Sequence, residues 1–195
     1  MRIATIGWGS LIWCPGSLRV QSRWRSYEPE LPIEFARISA RERVTLVVLS
    51  HVEPQRTFWP VSESFDLDDA IQNLRHREGC GLRHVHWLTH DTEAEGIDPA
   101  IATLVRGWLR THDASDAAIW TGLPSNWCEK RKQDLSPAGV VAYLQELIGK
   151  GQAKAAEEYV RNTPASIRTR VRARIEEELG WLPSPLDPSL FEVPE

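Results

Sequence analysis

From Ser136-Pro137 onward the chain loses its strand pattern for good, and that change limits what it can fold into. Up to residue 123 most apolar residues gather in short β-rich runs. From Ser136-Pro137 onward they repeat only at helical spacing. Strands first and helices last predict an α+β fold, one domain over residues 1–195 with a core at 1–123, a helical extension at 136–180 and an extended or disordered tail at 183–195. About six short strands are expected. Ile33–Ser39 alternates and Val44–Leu49 is β-branched, so these two make a hairpin across residues 40–43, and Thr57–Val61, 82–90 and Ala117–Leu123 also have strand composition. Residues 21–32, polar and punctuated by proline, are expected to run over the surface as a connection.

The helices announce their ends. Asp66 is an N-cap, Leu67, Ala70, Ile71 and Leu74 form a stripe, and Gly79 supplies the stop; Asp98-Pro99 opens a second helix reaching about His112. Later helices are expected from Ser136 to Gly149 or Gly151, over 152–162, and from Thr163-Pro164 to Gly180 with Ile167, Val171, Ile175 and Leu179 in line. Arg168, Arg170, Arg172 and Arg174 are assigned to the polar side of that last helix, not to an RNA-binding surface.

Within the first half, Ile3–Ile6 is a strand that breaks into Gly7-Trp8-Gly9-Ser10-Leu11. Glycines there permit positive φ or close approach of a ligand, leaving main-chain N–H groups turned outward to cradle an anion, with the Ser10 hydroxyl beside them. A dinucleotide fingerprint is excluded because Ile12 stands where a third small residue is required, and no Walker lysine follows. A tight bend without ligand is the plain alternative.

A net charge of -4 argues against a general nucleic-acid binder. No apolar run approaches the roughly 20 residues of a membrane span, and the N-terminus lacks the regions of a signal peptide, so a cytoplasmic location is expected. Cys14, Cys80 and Cys128 are scattered and predict reduced, mostly buried thiols; the nine tryptophans are expected mainly in the core.

Glu78 carries the most chemistry. Eleven residues after Leu67, it falls within about 20° of the apolar stripe, which aims a carboxylate at the core and pushes its pKa up, as a proton shuttle requires. Alternatively it pairs with Arg75 or Arg83 in solvent. His84, His86 and His90 are candidate metal ligands without a recognised spacing.

Gly7-Trp8-Gly9-Ser10-Leu11-Ile12-Trp13 resembles the Tyr-Gly-Ser-Leu-Ile-Trp opening of γ-glutamylcyclotransferase-like proteins, especially the branch acting on glutathione. Arg77-Glu78-Gly79 resembles the position of that family's catalytic glutamate. The likeness covers about residues 2–123; Trp8 replaces the usual tyrosine, and the helices after Ser136 have no counterpart in the smallest members. The resemblance implies a small curved mixed sheet or barrel with helices outside. It also implies cyclisation of a γ-glutamyl compound to 5-oxoproline without metal or organic cofactor, with Glu78 catalytic and Gly7, Trp8, Gly9, Ser10, Leu11 and Arg37 binding substrate. Two other functions stay open: a non-catalytic small-molecule binding or interaction protein of the same fold, and a metal-dependent hydrolase using the three histidines.

Overall fold

The computed structural model describes residues 1–91, 95–112 and 115–192, with the backbone alone at Tyr27. It is α+β, with six strands and six α-helices among the described residues. Strands β1 (Ile3–Ile6), β5 (Val85–Thr89) and β6 (Ala117–Thr121) form a mixed sheet in the order β1-β6-β5. β6 runs parallel to β1, with Ile3 opposite Ala117, and antiparallel to β5, with Thr121 opposite Val85. Strands β2 (Arg25–Ile38), β3 (Val44–Val48) and β4 (Pro54–Trp59) form a second sheet in the order β3-β2-β4. No helix is long and apolar enough to cross a membrane among the described residues.

The chain divides into two compact units. The first comprises Met1–Leu31, Arg56–Leu123 and the end of the chain from Asp187. Its centre is the β1-β6-β5 sheet, against which α1 (Leu67–Glu78) and α2 (Pro99–Thr111) pack. Ile3, Ile6, Leu74, Leu88, Val105, Leu109, Ile119 and Trp120 are buried there. Both helices have the expected ends. The Asp66 side chain accepts from Asp69 N–H at 2.9 Å, and Asp98 accepts from Ala100 N–H at 2.8 Å ahead of Pro99. Gly79, at φ 60°, ends α1 in a left-handed turn: its N–H reaches the His76 carbonyl at 3.2 Å, and Cys80 N–H reaches that of Arg75 at 3.3 Å.

The second unit comprises Pro32–Gln55 and Pro124–Leu186. Here the β2–β3 hairpin, with Ile33 opposite Val48 and Ile38 opposite Val44, accompanies α3 (Trp127–Arg131), α4 (Pro137–Gly149), α5 (Lys154–Asn162) and α6 (Arg170–Leu179). α5 packs on β3 and α4 on α6, burying Phe35, Leu144, Val160 and Ile175. Phe35 meets Tyr159 edge-on, with ring centroids 6.3 Å apart.

Four expectations need correction. Residues 25–32 are strand, not surface connection; the prolines cannot donate, yet their carbonyls accept, Pro29 from Thr57 Oγ1 at 2.6 Å and Pro32 from Leu49 N–H at 2.7 Å. The last helix starts at Arg170 behind an N-cap at Thr169, not at Thr163-Pro164. The carbonyls of Thr163, Pro164 and Ile167 instead turn to Arg172, whose guanidinium holds them at 3.0, 2.6 and 2.9 Å and whose Nε meets Glu176 Oε1 at 2.8 Å. Arg172 is therefore buried, at 1% exposure, and not on a polar helix face. Finally, Cys14 and Cys128 are exposed free thiols, because the neighbouring Trp127 takes the buried side of α3, and Leu11 and Ile12 take the buried side of the turn that ends at Cys14.

Seven of the tryptophans are buried as expected: Trp8, Trp24, Trp59, Trp108, Trp120, Trp127 and Trp181. The proline-rich end is extended in part, but Pro188–Leu190 forms a short 3₁₀ turn. Trp24 then closes on the chain at both sides, its N–H donating to Leu190 and its carbonyl accepting from Glu192.

Candidate active site

The opening loop begins just past the end of β1, where Gly7 still bridges to Phe58. Gly7 N–H donates to the Phe58 carbonyl at 2.7 Å and receives Phe58 N–H on its own carbonyl at 2.8 Å. Its N–H is thus paired and not turned outward. Glycine is required because a Cβ there would lie 2.9 Å from the Trp24 ring, so the close approach is to a core side chain. Trp8 and Leu11 are buried and Ser10 is half-buried.

After Gly9 the chain makes one tight turn, Ile12 N–H donating to Gly9 at 3.0 Å and Cys14 N–H to Ser10 at 2.9 Å. The main-chain N–H groups of Gly9, Ser10 and Leu11 have no hydrogen bond among the described residues. That is the unmet demand at the start of any helical turn, and it suits an anion.

Arg77 joins this loop to the end of α1. Its Nη2 donates to the Cys14 carbonyl at 2.6 Å and to Ser10 Oγ at 3.3 Å, its Nε to the Pro15 carbonyl at 3.2 Å, and its Nη1 to Glu78 Oε1 at 2.7 Å. The side chains of Arg77 and Glu78 are only 13% and 17% exposed. Glu78 is therefore half of a largely buried ion pair with its sequence neighbour, rather than an isolated buried acid or a solvent pair with Arg75 or Arg83. Just beyond it, burial pushes the Cys80 thiol up, and the nearby Glu78 charge adds to the shift.

The structure thus brings Ser10, with its flanking turn, together with Glu78. Sequence reasoning missed the arginine between them. Its carbonyl partners lie 62 and 63 residues away, and the only local signal is a basic residue in the last turn of α1, where the helix dipole favours one. Chemically, the group combines unmet main-chain N–H groups, a hydroxyl, a guanidinium and a carboxylate.

Arg37 belongs to the second unit, where its Nη1 donates to the Pro124 carbonyl at 2.6 Å beside a β-irregularity between Phe35 and Arg37. His84 closes a 3₁₀ turn and receives Arg83 Nε at 3.2 Å, His86 lies within β5, and His90 follows it, exposed. Burial pushes the His86 imidazole down, with the His84 charge adding to it. No group of three metal-ligating side chains comes together among the described residues.

Comparison of the chain with protein-family models, with curated proteins and with solved structures found no match in any of the three.

Proposed function

We propose that the chain is a γ-glutamylcyclotransferase-like enzyme, with its strands and outer helices read as that family's curved-sheet fold. The observation that carries this reading is Arg77, which ties Ser10 of the opening loop to Glu78, the two landmarks of the sequence resemblance. Three free thiols support a reducing, cytoplasmic setting.

In the proposed reaction, the α-amine of a γ-glutamyl group attacks its own γ-carbonyl carbon. Glu78, held by Arg77, takes the proton released from that amine. The new C–N bond forms while the carbonyl oxygen becomes an oxyanion, for which the unpaired N–H groups of Gly9, Ser10 and Leu11 are suitable donors. Collapse breaks the original C–N bond, and Glu78 returns its proton to the leaving nitrogen. The products are 5-oxoproline and a free amine or peptide, with no net oxidation and no cofactor.

A panel of γ-glutamyl amines and peptides, including glutathione, is the test, with α-glutamyl isomers as controls. Release of 5-oxoproline from at least one γ-glutamyl compound and from none of the α-isomers is expected. Purified protein that releases it from none would overturn the reading.

A further inference from the structure

The buried acid Glu34 takes no part in the chemistry proposed above, and it lines a cavity of about 130 Å³ that lies wholly within the second unit. β2 contributes Ile33 and Glu34, the turn after β3 contributes His51, Val52 and Glu53, and the approach to α6 contributes Arg168 and Arg170. The walls are tied to one another. Arg168 N–H donates to Gln55 Oε1 at 2.7 Å, Gln55 Nε2 reaches the Glu53 carbonyl at 3.3 Å, and Thr169 Oγ1 caps α6 by accepting from Arg172 N–H at 3.1 Å. These bonds fix the backbone on which both arginines stand.

The two ends of the cavity have opposite needs. Glu34 is 5% exposed, and its carboxylate accepts from Phe35 N–H at 2.8 Å and Val171 N–H at 3.4 Å, with the Thr169 hydroxyl as a further donor. These donors do not replace the water it has lost, since burial still raises its pKa. What such a carboxylate lacks is a cationic donor. Arg168 and Arg170 are exposed, and their guanidinium groups make no hydrogen bond or ion pair among the described residues, although Glu53 lines the same cavity. Further along α6, by contrast, Arg172 pairs with Glu176 and Arg174 with Glu177 and Glu178.

This arrangement narrows the occupant. A lone anion would meet Glu34 and Glu53, a lone cation would meet Arg168 and Arg170, and an apolar molecule would cover these charges without pairing any of them. No group of three metal-ligating side chains comes together among the described residues. A molecule with an ammonium at one end and a carboxylate at the other satisfies both needs. At about 30 Å³ per water in the liquid, the space equals about four waters, which suits a molecule the size of glycine, alanine or serine. Ile33 and Val52 offer an apolar wall to a short side chain.

We propose that the second unit binds a small free α-amino acid, with its ammonium on Glu34 and its carboxylate on Arg168 and Arg170. Ser10, Arg77 and Glu78 belong to the first unit, and the site does not depend on the reaction proposed for them.

The test is calorimetric titration of the full chain with glycine, alanine and serine, and with ethylamine and propionate, which carry one of the two charges each. Saturable binding of at least one amino acid, one per chain, is expected. Ethylamine and propionate should bind at least about tenfold more weakly, each lacking a charge-assisted contact. Glu34→Gln should weaken the amino acid by about the same factor, and so should the double variant Arg168→Ala with Arg170→Ala. The two arginines are exposed, so the double variant keeps the test open if the Glu34 variant does not fold. Glu78→Gln should bind as wild type does. Absence of saturable binding by all three amino acids would overturn the proposal, as would equal affinity for ethylamine or propionate. Binding that the double variant leaves unchanged, or that Glu78→Gln abolishes, would overturn it too, because the amino acid would then sit elsewhere.

Discussion

Two arginines, one in each unit, use the same device to different ends. Arg172 sits in the first turns of α6 and gathers the carbonyls of Thr163, Pro164 and Ile167 together with Glu176. Arg77 sits in the last turn of α1 and gathers the carbonyls of Cys14 and Pro15, the Ser10 hydroxyl and Glu78. Each pins an irregular segment to a helix. At 1% exposure, Arg172 is closed off, and its three carbonyl partners need nothing more. Around Arg77 the carboxylate and hydroxyl remain partly exposed, and the neighbouring main-chain N–H groups are unmet. A closed arginine cluster stabilises a fold; an open one leaves groups for chemistry.

The comparison predicts different consequences for the two residues. Arg172→Ala strands three carbonyls and Glu176, so unfolding measurements should show a loss of about 3–5 kcal/mol. Whatever protein remains folded should keep its turnover. A variant as stable as wild type would show that the Thr163–Ile167 turn holds without its arginine.

Arg77→Ala should cost less stability, about 1–3 kcal/mol by chemical denaturation, because water reaches part of the site. Unlike the Arg172 variant, it should lose turnover per folded molecule as well. Full turnover in Arg77→Ala would make the two arginines equivalent structural clamps and break the contrast.

Smallest is the effect expected at Glu34, a buried acid whose carboxylate accepts from Phe35 N–H at 2.8 Å and Val171 N–H at 3.4 Å. Burial raises its pKa above the ordinary 4.5, outweighing these hydrogen bonds and that of Thr169. A pKa raised on folding adds stability at low pH, in full below about 4.5, and loses it as pH climbs through the folded value. The thermal midpoint of Glu34→Gln relative to wild type should therefore rise as pH is taken upward from about 4.5. A difference that stays flat across this range would mean that the acid ionises as readily folded as unfolded.

The same contrast explains what the sequence could disclose. Asp66 and Gly79 bound α1 through local bonds, and the 33–49 hairpin follows from alternation, so both are legible in short windows. Glu78 and the Gly7–Leu11 loop stand out in short windows because a stripe and a glycine break mark them. The link between them does not, since Arg77 meets Cys14 and Pro15 only after α1 has packed beside the loop. Arg172 was misread for the same reason: Arg170 and Arg174 flank it at alternate positions, but the carbonyls that bury it turn toward it only once residues 163–167 leave the helical path. Prolines misled at β2 because a pattern registers their missing donors and overlooks their carbonyls.

The most direct test of the central claim is Glu78→Gln, assayed at once for 5-oxoproline release and for thermal midpoint. Glutamine keeps an oxygen for Arg77 but cannot carry the proton. Turnover should fall by roughly 10²–10⁴-fold, the usual contribution of a general acid–base group, while most molecules stay folded. A variant that keeps full turnover, with or without a change in midpoint, would contradict the assignment of Glu78 as the proton shuttle.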